Sequence, residues 1–257
     1  MNLFDASAWA GIWPFTMGAP VNLDELVARL QRVGIGGAAV SPLNAVLAPE
    51  PQAVNLALIA AVSALDGDFP VRFVPVIESS LPGWERDLDA VLESGRGLVG
   101  AVKIVPNYHR YDVDGEPAVA LARRASDAGL GICVQVRVLD ERAHHPLMQV
   151  PGVPVNRIAR LAQVVPGARF LACGVYQAEL TALADAPNVA VELSSIESGD
   201  ALANALVVIG PERLMLGTHT PVYDPAPAVA KVHGVTDDAF IANRVGWENA
   251  MAFFGSG

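Results

Sequence analysis

A short apolar run that ends in a polar cluster recurs along this chain, and the recurrence narrows the available folds more than any single residue. Arg213 to Pro221, RLMLGTHTP, shows it most plainly: Leu214-Met215-Leu216 runs into Gly217 and then Thr218-His219-Thr220. Apolar runs of this length, bounded by turn residues, read as buried strands. The same shape returns in FDASAWAG near the start, in AVKIVPNYHRY, and in GICVQVRVLDE and FLACGVY further on. Each such strand releases polar side chains at its C-terminal end. That is where parallel α/β folds, above all the (β/α)₈ barrel, build their sites.

The elements between these strands are helical. Strands are expected over Leu3–Ser7, Gly37–Val40, Val71–Ile77, Leu98–Val105, Ile132–Val138, Ala168–Ala172, Asn188–Leu193 and Arg213–Gly217. Helices are expected over Leu23–Val33, Pro51–Leu65, Pro82–Leu92, Glu116–Ala128, Val155–Val164, Ala178–Ala184 and Asp200–Ile209, with closing helices in Thr236–Phe254. Asn22 or Asp24 caps the first, and Gly129 ends the fourth. Trp9, Trp13 and Phe15 fall in a loop with apolar anchors, and Asp140–Pro154 reads as a long polar loop. Strict alternation implies parallel strands joined by crossover helices. No strand leads into a GxGxxG or Walker-type phosphate loop.

The chain has 257 residues, close to the usual length of one such barrel, so a single domain over 1–257 is expected. Acidic residues outnumber basic ones, 27 to 17, which argues against nucleic acid as a partner. No apolar stretch is long enough to span a bilayer, and the start lacks the pattern of a signal peptide. A cytoplasmic protein is therefore expected. Cys133 and Cys173 fit reduced core thiols.

Four segments in order carry a resemblance. Gly100–Tyr108, Pro187–Ser194, Arg213–Pro221 and Trp247–Ala250 resemble the strand-four, strand-seven, strand-eight and final-helix segments of the amidohydrolase superfamily, in its amidohydrolase-related branch. The match runs over nearly the whole chain and implies a distorted (β/α)₈ barrel. It also implies a metal held by a His-x-His on strand one, a His on strand five, a His on strand six and an Asp on strand eight. These places fall here on Ser7 and Trp9, Gln135, Cys173 and His219. None keeps the family residue. A hydrolytic zinc needs several His or carboxylate ligands and one open position for water. No metal or other cofactor is therefore expected, and the metal-dependent family mechanism is not expected either.

Strand alternation then assembles a pocket mouth from Arg137, Lys103, His219, Gln135 and Glu192, walled by Trp9 alone or by Trp9 and Trp13, and the family positions add Ser7 and Cys173. Asp5 is a further strand-end candidate. Arg137 and Lys103 suit a carboxylate or phosphate, and His219 and Lys103 are the candidate catalytic groups. Bland readings stand beside these. Arg137 reads equally as a structural bridge to Glu192, Asp140 or Glu141, His219 as a hydrogen-bonded filler of the space left by the Asp, and Cys173 as a small buried filler. His144 and His145 read as a loop hydrogen-bond donor and a solvated ring. Two functions from different classes follow. One is a metal-independent hydrolase acting on a lactone or similar activated carbonyl, with an anionic substrate. The other is a catalytically inactive barrel serving as ligand sensor or partner subunit. A homo-oligomer is left open.

Overall fold

A computed structural model of the chain describes residues 2–15, 19–147, 149–234 and 238–255. Its elements run β1 (Phe4–Ala10), α1 (Leu23–Arg32), β2 (Gly37–Pro42), α2 (Pro51–Ser63), β3 (Val71–Phe73), α3 (Trp84–Ser94), β4 (Ala101–Ile104), α4 (Pro106–His109), α5 (Glu116–Asp127), β5 (Gly131–Gln135), α6 (Val155–Val164), β6 (Phe170–Cys173), β7 (Val189–Glu192), α7 (Ala201–Ile209), β8 (Leu214–Met215), α8 (Pro225–Gly234), α9 (Ala239–Asn243) and α10 (Asn249–Phe254). The helix expected at Ala178–Ala184 is a 3₁₀ segment, Gln177–Leu183. Two helices, α4 and α8, were not expected. Residues 236 and 237 of the expected closing segment lie outside the described residues.

All strand pairs are parallel, in the orders β1-β2-β3 and β4-β5-β6-β7-β8. Single backbone hydrogen bonds join the two ladders. Phe73 N–H donates to Leu98 O at 2.9 Å and Lys103 N–H to Pro75 O at 2.8 Å. On the other side, Ala6 N–H donates to Leu216 O and Trp9 N–H to Thr220 O, both at 2.8 Å. The strands therefore form a ring with two loosely laddered seams. β3 is shorter than its apolar run because Pro75 has no N–H to donate, although Val76 still bridges Lys103. β1 is longer than expected. Its register slips between Asp5 and Ala8, a bulge, and Trp9 pairs with Ser41 inside the strand instead of lying in the loop.

Helix faces explain the outer shell. In α1, Asn22 accepts the N–H of Glu25 at 2.9 Å and caps the helix, and Leu23, Leu26 and Leu30 turn inward at helical spacing. Burying a Leu side chain such as Leu26 stabilises by roughly 1.5–3 kcal/mol.

Apolar groups also close both ends of the barrel. At the N-terminal ends of the strands, Phe253 and Phe254 of α10 press against Gly131 and Gly100. A Cβ on Gly131 would lie 2.5 Å from the Phe253 ring, so this close approach requires glycine. At the C-terminal ends, Trp9, Trp13, Leu43, Val76, Val105 and Val138 pack into a second plug. Among the described residues, no helix is long and apolar enough to cross a membrane.

Candidate functional site

Between the inner apolar layer and the upper plug lies a sealed polar layer. Ser7, Lys103, Gln135, Cys173, Glu192 and His219, each singled out from the sequence, come together there, with Asp5 beside them. Each is at most 1% exposed. Register puts Lys103 opposite Cys133, Gln135 opposite Cys173 and Glu192 opposite Met215, so these strand ends face a common interior.

The hydrogen bonds show what each group does. Trp9 Nε1–H donates to His219 Nδ1 at 3.3 Å, and His219 Nε2 lies 2.8 Å from Val138 O. Nδ1 therefore accepts and Nε2–H donates, which assigns one neutral tautomer. Burial, with the Lys103 ammonium second, pushes the His219 pKa down to about 3. His219 adopts φ 59°, a left-handed backbone that histidine tolerates better than most residues. The Lys103 ammonium sits 3.8 Å over the Trp9 ring.

The carboxylates are pinned from several sides. Asp5 Oδ1 accepts the N–H of Ser7 at 3.0 Å and of Thr218 at 2.9 Å, and Oδ2 accepts the Thr218 hydroxyl. Burial nevertheless lifts the Asp5 pKa to about 6. Glu192 accepts Gly174 N–H and Ser194 N–H, each at 2.6 Å, and the Ser194 hydroxyl at 2.7 Å. Gln135 donates to Arg137 O at 2.7 Å, leaving its own carbonyl unpartnered. The Cys173 thiol is pushed well up, first by its contact with Cys133 and then by burial, so it stays protonated.

Arg137 is committed as well. Its Nη1 and Nη2 each meet a Glu179 oxygen at 2.8 Å, its Nε meets Glu141 at 3.3 Å, and the guanidinium lies 3.7 Å over Tyr176. Of the two readings open in the sequence, anion grip or bridge, the geometry is that of a bridge. Its main partner is Glu179 rather than Glu192 or Asp140. Glu179 stands in the segment after β6, too far along the chain for spacing to pair it with Arg137.

These groups do not suit a metal. Both His219 nitrogens are engaged, Trp9 offers an indole N–H and no lone pair, and Cys173 is held as a thiol. Among the described residues, no three His, Cys, Asp or Glu side chains gather as ligands.

One open space lies among the loops near this layer. A cavity of about 670 Å³ sits among the loops after β1, β2, β4 and β5. Trp13 stands edge-on to Tyr108 at 5.4 Å and to Phe15 at 5.6 Å, making an aromatic wall. Leu47, Arg110, His144, His145 and Leu147 complete much of the lining. Asn107 ties two of these loops together through Val136 O and Pro151 O. Of the residues proposed for the site from the sequence, Trp13 lines this cavity, and Ser7, Trp9, Lys103, Gln135, Arg137, Cys173, Glu192 and His219 do not. The signal for it was present in the aromatic and basic residues of Tyr108-His109-Arg110 and in the His144-His145 loop, but nothing in the sequence placed those loops together.

No protein-family model and no curated protein matches the sequence. Solved structures do. The 5-carboxyvanillate decarboxylase LigW from Sphingomonas paucimobilis superposes with a TM-score of 0.75 at 15% identity, covering 98% of each chain. The 2,6-dihydroxybenzoate decarboxylase from Rhizobium gives 0.71 at 12% identity, again over 98% of each. Amidohydrolase 2 from Bifidobacterium longum subsp. infantis gives 0.65 at 14%, over 99% of this chain and 98% of its own. The fold of this chain is that of the amidohydrolase-related barrels, the resemblance that the four ordered segments imply.

Proposed function

We propose that this chain takes a small, ring-shaped, anionic molecule into the loop cavity and handles it without a divalent metal. One observation carries the reading: the strand-end positions are sealed and internally bonded, while the aromatic-walled cavity beside them is open. Its volume falls in the usual range for small-molecule sites. The likeness to decarboxylase and amidohydrolase barrels supports a small-molecule hydrolase or lyase type of site. Without a metal, a lactone or similar activated carbonyl suits such a site better than an amide, which needs stronger electrophilic help.

A specific observation favours the second reading, a catalytically inactive barrel that senses a ligand or serves a partner subunit. The two candidate catalytic groups, His219 and Lys103, lie in the sealed layer, and neither lines the cavity. A general base must reach the proton it removes.

Native mass spectrometry of the purified protein, paired with lactone and aryl-ester turnover before and after chelator treatment, tests both. Retained small molecule or turnover that survives chelation, and that Ala143→Trp abolishes by filling the cavity, supports the site. Turnover lost on chelation and restored by zinc or manganese overturns metal independence. Retained ligand without turnover selects the sensor.

A further inference from the structure

We infer that the loop cavity has a charged end built from Arg110, His144 and His145, which holds the anionic group of a ligand whose flat apolar body lies against Trp13, Phe15 and Tyr108. The inference rests on the reading of this cavity as the ligand site, and it assigns the anion to residues other than Arg137 and Lys103. All six residues line the cavity.

Arg110 closes α4, and its side chain is exposed. Among the described residues it forms no ion pair. The chain carries a formal net charge of -10, yet among the described residues no Asp or Glu lines this cavity. A cation left unpaired at an apolar cavity attracts a counter-anion, and a guanidinium matches a carboxylate, sulfonate or phosphate through two parallel N–H groups.

The two histidines add neutral donors. His145 Nδ1 accepts the N–H of Leu147 at 3.2 Å, and His144 Nδ1 accepts the N–H of Val150 at 3.4 Å. A ring nitrogen that accepts carries no proton, so each neutral ring keeps its proton on Nε2 as a donor. The Tyr108 hydroxyl does not oppose an anion. Burial pushes the Tyr108 pKa up to about 12, so it remains an uncharged phenol. By sequence, His144 and His145 read only as loop residues. The fold brings them into the lining of the same cavity as the aromatic wall.

Fluorescence titration with two dyes of the same ring system tests the inference. Anilinonaphthalene sulfonate carries the anion, and phenylnaphthylamine lacks it. The wild type is expected to prefer the sulfonate. Arg110→Gln should weaken the sulfonate by about tenfold or more, as loss of a charged hydrogen bond does, and leave the neutral amine unchanged. His145→Phe should weaken the sulfonate by a smaller factor. Ala143→Trp should remove both dyes. Arg110 is exposed and Gln keeps its stem as far as Cδ with a polar end, so an unchanged melting temperature verifies that the fold is intact. Equal affinity of the two dyes for the wild type, or equal loss of both in Arg110→Gln, overturns the charged end while the cavity stands. Undiminished binding of both dyes to Ala143→Trp overturns the cavity as ligand site, and the inference with it.

Discussion

The indole N–H of Trp9 donates to Nδ1 of His219 across 3.3 Å, and this contact ties β1 to the segment after β8 where the apolar plug meets the sealed polar layer. It also dictates the histidine's tautomer, because the accepting nitrogen must lack a proton while Nε2–H serves Val138 O. Trp9→Phe keeps a ring under the Lys103 ammonium but strands His219 Nδ1 without a donor. A buried acceptor left unmade costs about 1–3 kcal/mol, so the melting temperature should fall by several degrees. An unchanged melting temperature would show that the bond contributes nothing.

Two buried groups in this layer push stability in opposite directions with pH. His219, depressed from 6.5 to about 3, stays neutral when folded but takes a proton when unfolded; its contribution is present above 6.5 and is lost as pH falls toward about 3. Asp5, raised from 3.8 to about 6, contributes below 3.8 and loses that contribution as pH rises through about 6. Asp5→Asn removes the second effect. Its stability relative to wild type should climb by about 3 kcal/mol between acid and neutral conditions, at roughly 1.4 kcal/mol per pH unit across the shift. Urea unfolding of both proteins at pH 4 and pH 7 measures this; a difference independent of pH would sink it.

Arg137 is predicted to be structural. Arg137→Ala leaves Glu179 facing a partly buried site without its partner and should cost about 3–5 kcal/mol. Arg137→Lys should also destabilise, since one ammonium cannot replace two parallel guanidinium contacts. Affinity for anionic dyes should not change in the lysine variant. A loss of affinity specific to anions, at unchanged stability, would return Arg137 to the ligand site.

Gly217 is predicted to resist substitution. A Cβ there would press on Glu192 Oε2 and lie 2.7 Å from Ser7 Oγ. Glu192 cannot move aside cheaply, because three donors hold it. Gly217→Ala should cost about 1–3 kcal/mol, as overpacking does. Unfolding free energy within a few tenths of wild type would show that the layer yields more easily than its bonds suggest.

Chelator treatment and added zinc or manganese should both leave the melting temperature unchanged, since the five positions offer no compatible ligand set. Elemental analysis near one metal per chain, lost in Cys173→Ser or His219→Asn, would refute this.

Much of the architecture was legible in the residues themselves. The period of apolar runs and their Gly and Pro boundaries placed eight strands in order, and α6 falls over Val155–Val164 as its 3.6-residue spacing requires. Alternation and the family positions grouped Lys103, Gln135, Cys173 and Glu192, and they do come together, but in a sealed layer and not at an open mouth. The errors have local causes. Proline shortened β3, a bulge carried β1 through Trp9, and α4 and α8 escaped notice because α4 is a single turn and α8 opens on two prolines with little amphipathic contrast.

The site was decided by contacts that no spacing reports. Whether a polar strand-end residue greets a ligand or a neighbour depends on what packs above it, and here Trp9, Trp13, Leu43 and Val138 close the mouth. Arg137 met Glu179, forty-two positions away, and the loops carrying Arg110 and His144 met around a cavity only once the ring had brought β4 beside β5. Periodicity is a property of neighbours along the chain, so the sequence determined the strands and the faces they turn inward. Burial and pairing are properties of neighbours in space, so only the tertiary structure determined which polar groups were spent on one another and which were left to meet a ligand.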